Sequence, residues 1–156
     1  MKRFPLSLAA ITAVICCAPA FAAVTTNTSI PIDTTVAIPC ANGGAGENVE
    51  ITGPLHMLAT DTTNANNVHL SVQFQPQGLS GVGSVTGEKY RATGVTRQDF
   101  NAANVRLPFN TTFVNNFRII GQRTSNNFLV HENAHVTLNA NGSVTAVLDN
   151  FKADCK

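Results

Sequence analysis

Residues 131–135 read His-Glu-Asn-Ala-His. They match H-E-x-x-H, in which two imidazoles four residues apart hold a zinc ion and the glutamate between them activates its bound water. That chemistry needs a helix, where residues i and i+4 stand one above the other on a single face. The flanks argue for an extended chain instead: Phe128-Leu129-Val130 precede the motif, Val136-Thr137-Leu138 follow it, and Asn141-Gly142 lies beyond. In a strand, His131 and His135 share a face but lie roughly 13 Å apart, while Glu132 points to the opposite face. No histidine follows His135 as a third ligand, and the acids downstream are Asp149 and Asp154. A helix capped by Asn126 or Asn127 and ended by Gly142 would carry no continuous apolar stripe. A zinc-dependent hydrolase using His131, Glu132 and His135 is therefore the alternative reading rather than the leading one.

All four histidines, His56, His69, His131 and His135, stand out of phase with the apolar runs around them. They share their face with Glu50, Thr52, Ser71, Gln73 and Asn133. His56 and His69 flank an expected turn around Thr62-Thr63, and a register pairing Met57 with Val68 would set them opposite each other, with Cβ atoms about 4.5 to 5.5 Å apart. If that face lines a barrel interior, the four are metal or ligand candidates. If it is the wet side of an antiparallel sheet, they are ordinary surface residues. No resident cofactor is expected, with zinc the metal that the pattern suggests if one is bound.

Three further arrangements fall short. Gly81-Val82-Gly83-Ser84-Val85-Thr86-Gly87-Glu88-Lys89 has Thr86 where G-x-G-x-x-G needs glycine, and Glu88 between the last glycine and the lysine of a Walker loop. Its glycines read better as bends or bulges in a curved strand pair. No nucleophile elbow or cysteine–histidine arrangement is visible. Asp33, Glu50, Glu132 and Asp149 could form a paired-carboxylate site only if the fold gathered them.

The elements that would position these residues are strands. Apolar residues alternate at Ile30, Ile32, Val36 and Ile38, then at Val49, Ile51, Leu55 and Met57, and at Val68, Leu70, Val72 and Phe74. The habit continues at Val105, Leu107, Phe109 and Phe113, and at Phe128, Val130, Ala134, Val136 and Leu138. Turn signals separate the runs at residues 42–44, 61–64, 76–78, 124–127 and 141–142. Six to nine close-spaced strands predict an all-β, single-domain antiparallel sandwich or a closed, lipocalin-like barrel. There is no internal repeat and no second domain.

The chain opens with Lys2 and Arg3, an apolar run over residues 6–18 and Ala20-Phe21-Ala22, the three-part pattern of a secretory signal peptide cleaved after Ala22. The run is too short for a membrane span. Neither Cys16 nor Cys17 follows the small residue that a lipid-attachment site needs. Residues 23–156 are then the single β domain, secreted or periplasmic. The formal charge of +1 becomes −1 without Lys2 and Arg3, and with no basic run a nucleic-acid partner is not expected. The two remaining cysteines, Cys40 and Cys155, predict one disulfide in an oxidising compartment.

Phe117-Arg118-Ile119-Ile120-Gly121, then Asn127-Phe128-Leu129-Val130-His131-Glu132, and the closing Asp149-Asn150-Phe151 to Cys155 resemble a set of small exported bacterial β-rich proteins. Those proteins share a glycine-rich segment like residues 78–87 and a turn like Cys40-Ala41-Asn42-Gly43-Gly44. The resemblance covers most of residues 23–156. It implies a common fold and carries over no activity. The functional expectation is a non-enzymatic exported protein that binds a small ligand or a surface partner, with a filled interior favouring the surface role and a cavity beside the histidines favouring the ligand.

Overall fold

The computed structural model describes residues 23–64, 66–122 and 127–155. The expected signal peptide, with Cys16 and Cys17, the proposed cap Asn126 and most of the expected turn at 124–127 lie outside the described residues. Nine antiparallel strands form one sheet: β1 (Val24–Ile38), β2 (Glu47–Thr63), β3 (Asn67–Pro76), β4 (Ser80–Gly83), β5 (Lys89–Thr93), β6 (Thr96–Ala103), β7 (Phe109–Gly121), β8 (Asn127–Leu138) and β9 (Val144–Cys155). The spatial order is β6-β3-β2-β4-β5-β7-β8-β9, with β1 on the other edge of β2.

The sequence alternation decides which side of each strand faces in. Val49, Ile51, Leu55 and Met57, the even apolar residues of β3, and Phe128, Val130, Ala134, Val136 and Leu138 are all buried. Burying one such side chain stabilises the fold by about 1.5 to 3 kcal/mol relative to leaving it in water. The core closes at one end with Phe74 and Phe100 packed on Phe113, ring centroids 5.7 Å apart in both pairs, and at the other with Tyr90 on Phe128 at 5.3 Å. The expected strand through Val105 and Leu107 begins only at Phe109, and both residues are half-buried in the coil before β7.

Two backbone features bend the sheet around this core. β2 pairs through residues 49–52 with β4 and through 55–63 with β3, both along one edge. Between these segments Gly53 has φ +128, and a Cβ there would lie 2.9 Å from the Gly78 carbonyl oxygen; only glycine allows the two backbones to approach so closely. On β9, Asn150 has φ +54 and the register against β8 slips between His131 and Asn133. Asn150 and Phe151 together oppose the single residue Glu132, which makes a β-bulge.

The all-β antiparallel domain is the expected class, and of the two forms left open, sandwich or barrel, the sheet is barrel-like but does not close. β1 and β9 meet near their starts, where the Val144 amide donates to Thr26 Oγ1 at 3.1 Å. At their far ends the disulfide from Cys40, just beyond β1, to Cys155, the last residue of β9, joins them, Cα atoms 5.9 Å apart. Between these ties no ladder connects the two strands. No helix among the described residues is long and apolar enough to cross a membrane.

Candidate functional site

His131 and His135 lie on β8, whose extended backbone alternates between the two faces of the sheet. Both are half-buried on the outer face, while Glu132 is 1 % exposed in the core. The glutamate thus stands on the opposite side of the sheet from both imidazoles, so the helical geometry of H-E-x-x-H is not present here. Each ring is instead held by its cross-strand neighbours. His131 pairs through Nδ1 with Asn116 and through Nε2 with Asp154 Oδ2 at 3.0 Å. His135 pairs through Nδ1 with Thr112 Oγ1 at 2.9 Å and through Nε2 with Asp149 Oδ1 at 3.2 Å.

The other two histidines do not meet. The register pairs Met57 with Phe74, not with Val68, so His56 stands opposite Gln75 and His69 opposite Thr62. The expected pairing failed because β2 runs on to Thr63 and β3 begins only at Asn67, so the two strands turn later than the Thr62-Thr63 expectation placed it. His56 Nε2 lies 2.7 Å from Asn27 Oδ1 and His69 Nδ1 lies 2.6 Å from Asn101 Oδ1. All four imidazoles therefore sit on the outer side of the curled sheet, and no group of three His, Cys, Asp or Glu residues placed to hold a metal occurs among the described residues. The four carboxylates are not gathered either: Asp33, Glu50 and Asp149 face out and Glu132 faces in.

The alternation put Glu132 behind the imidazoles but did not reveal the polar partners that meet it inside. On facing positions of β7 and β8, Asn115 Nδ2 donates to Glu132 Oε1 at 2.5 Å, and both residues are 1 % exposed. Glu132 Oε2 has no hydrogen-bond partner among the described residues. Burial pushes this carboxyl up to about 7, against the Asn115 donor that pulls it down. The parity of Glu132 with Val130 and Ala134 was the available signal.

Glu47 is the second buried acid. It accepts from the Val85 and Thr86 amides at 3.1 and 3.0 Å, from Thr86 Oγ1 at 2.9 Å and from the Tyr90 hydroxyl at 3.1 Å. Burial raises its pKa, but these donors outweigh burial and hold it below the usual carboxylate range. Its carboxylate occupies the space a Cβ on Gly83 would need, 2.6 Å away, which accounts for one glycine of the cluster at 78–87. A depressed carboxyl contributes stability above its unfolded pKa and loses it as pH falls through the folded one. Glu47→Gln is expected to cost about 1 to 2 kcal/mol at neutral pH in urea unfolding, with faster amide exchange at Val85 and Thr86. Unchanged exchange there would mean that something else holds the turn.

A groove lies at the seam between the unpaired edges of β1 and β9; β6 ends the sheet order with a further unpaired edge. Residues 30–35 of β1 and 146–151 of β9 line a groove of about 650 Å³. Its floor is apolar, with Ile30, Ala146, Leu148 and Phe151 half-buried against the core, and its rim carries the exposed Asp33, Asp149 and Val147. Val147 is 66 % exposed. A smaller groove of about 280 Å³ borders His69 on the outer face. The disulfide fits an extracellular or periplasmic compartment. No protein-family model, curated protein or solved structure matches the chain.

Proposed function

We propose that this is an exported, secreted or periplasmic, non-enzymatic protein that works by contact with another macromolecule, and that the β1–β9 seam is the contact surface. The observation that carries the reading is the seam itself: two unpaired strand edges flank an apolar-floored groove, beside an interior filled by side chains such as Phe74, Leu70, Phe128 and Met57. Unpaired edges are templates for pairing with another chain unless they are blunted or covered. The histidines are each engaged with an Asn, Thr or Asp neighbour on the outer face, and the groove beside His69 is less than half the volume of the seam. Likewise, a zinc hydrolase would have to be rebuilt from imidazoles roughly 13 Å apart with the glutamate behind them.

The test is photo-cross-linking in the exporting cell from a reactive side chain placed at Val147, with His56 as the control position. Discrete high-mass adducts from position 147 and none from position 56 are expected. A small molecule that co-purifies with the protein, or a one-to-one zinc isotherm abolished by His131→Ala, together with no adduct from position 147, overturns the reading.

A further inference from the structure

Resting on that reading of the seam, we infer that its occupant is an extended peptide segment of a partner protein, inserted as a strand antiparallel to both β1 and β9. The strand count points this way. One route around the core runs β1-β2-β4-β5-β7-β8-β9, and every adjacent pair on it is antiparallel. A second route passes through β3 and β6, with Thr96 on β6 bonded to the Asn116 backbone on β7. Each route contains seven strands. An odd count leaves the first and last strands running the same way, so β1 and β9 cannot close the ring by antiparallel pairing. One strand of opposite direction makes eight, alternating throughout, a number whose interior side chains can fill.

The backbone along the groove is set up for such a strand. Pro31 faces Pro54 across β1 and β2, and neither residue has an N–H to give. Their pair is therefore one of the non-hydrogen-bonded pairs of the ladder, and the Pro54 carbonyl indeed turns away to accept from the Gln77 amide at 3.1 Å. By alternation Asp33 and Thr35 also turn their N–H and C=O groups away from β2 and into the seam. On β9 the Val144 amide points at β1, and Ala146 and Leu148 follow the same phase. Among the described residues β1 pairs only with β2 and β9 only with β8. Opposed rows of free donors and acceptors on two sides select an extended backbone over a globular or small ligand.

The side chains narrow the chemistry. The half-buried Ile30, Leu148 and Phe151 on the floor call for apolar residues at alternate positions of the incoming strand. Among the described residues Asp33 on one rim has no hydrogen-bond or ion-pair partner, and Asp149 on the other shares its carboxylate with His135 and Asn150. Two acids flanking the groove favour Lys or Arg at an outward position between them. Six residues on each wall match an ordinary strand length.

The experiment titrates the purified exported protein with the synthetic peptide TVTVKVTVT, following backbone amides by NMR and hydrogen exchange. Expected are slowed exchange at Asp33, Thr35, Ala146 and Leu148, no change around His56 and His69, and weaker binding when the peptide's lysine is replaced by glutamate. Thr35→Pro removes a seam-facing N–H without touching the β1–β2 ladder, as Pro31 already does, and should weaken binding about tenfold. Should that variant unfold, Leu148→Lys places a charge on the groove floor and should abolish binding. Protection elsewhere, as along β6, affinity unchanged by these substitutions, or a concentration-dependent dimer of this chain that protects the same amides without peptide, overturns the inference. Cross-links from position 147 that Thr35→Pro leaves intact would overturn strand insertion while sparing the contact role; absence of any adduct removes the contact role itself.

Discussion

Replacing Cys40 and Cys155 together by serine lowers the free energy of unfolding by about 4 to 5 kcal/mol, the largest effect expected of any change that leaves the core intact. The two cysteines are 115 residues apart, and opening so large a ring returns loop entropy to the unfolded chain. The folded state is affected as well. β1 and β9 share no ladder, and their ties are the Thr26–Val144 contact at one end and the disulfide at the other. Without the disulfide the end of β9 is held only by β8, so amide exchange over residues 151–155 should quicken more than over β2 or β7. Urea unfolding of the wild type and the double serine variant measures the first effect, and hydrogen exchange the second. A loss under about 1 kcal/mol would show that the oxidised unfolded chain is no more restricted than the reduced one.

Glu132→Gln has the second largest effect, and its sign depends on pH. Burial raises the folded-state carboxyl from an ordinary 4.5 to about 7. Between those values the folded protein holds a proton that the unfolded chain has released. Stability from this group is therefore fully present below pH 4.5 and is lost as pH rises through 7. The shift corresponds to about 3 kcal/mol between the two limits. Glutamine keeps an oxygen for the Asn115 donor and cannot ionise, so the variant should be more stable than wild type at pH 8, by up to about 3 kcal/mol, and nearly equal to it at pH 4.5. Urea midpoints at the two pH values decide the matter: parallel pH dependence in both proteins would assign the slope to other groups. Replacing Glu132 and Asn115 together by leucine should stabilise further at pH 8, because the orphaned Oε2 and its desolvation disappear.

The interplay of bulge and disulfide shows what one strand can hide. In β9 the even residues 144, 146 and 148 face the core, and the same parity would put Cys155 on the outer face with Asp149. The bulge at Asn150 and Phe151 reverses the phase, so Phe151 and Ala153 turn inward and Cys155 comes opposite the buried Phe128. Only then can it reach Cys40, which continues the inward phase of Val36 and Ile38. Compartment and cysteine count were enough to predict the bond; its route depended on one left-handed asparagine. The seam was equally illegible, since neither Pro31 nor Asp33 announces itself as an edge until the neighbours of β1 are known.

Several features were settled by the chain's own residue order. Period-two apolar spacing made residues 128–138 extended, which separated His131 from His135 and put Glu132 behind them, because side-chain direction in a strand follows from position alone. The same rule predicted the all-β class and the inward faces of β2, β3 and β8. Which strand lies beside which was decided only by folding. Register, the meeting of Asn115 with Glu132, the failure of His56 to meet His69, and the odd number of strands around the core arise from contacts between distant segments. Local spacing cannot encode them, because each depends on how the sheet bends to bury its apolar side.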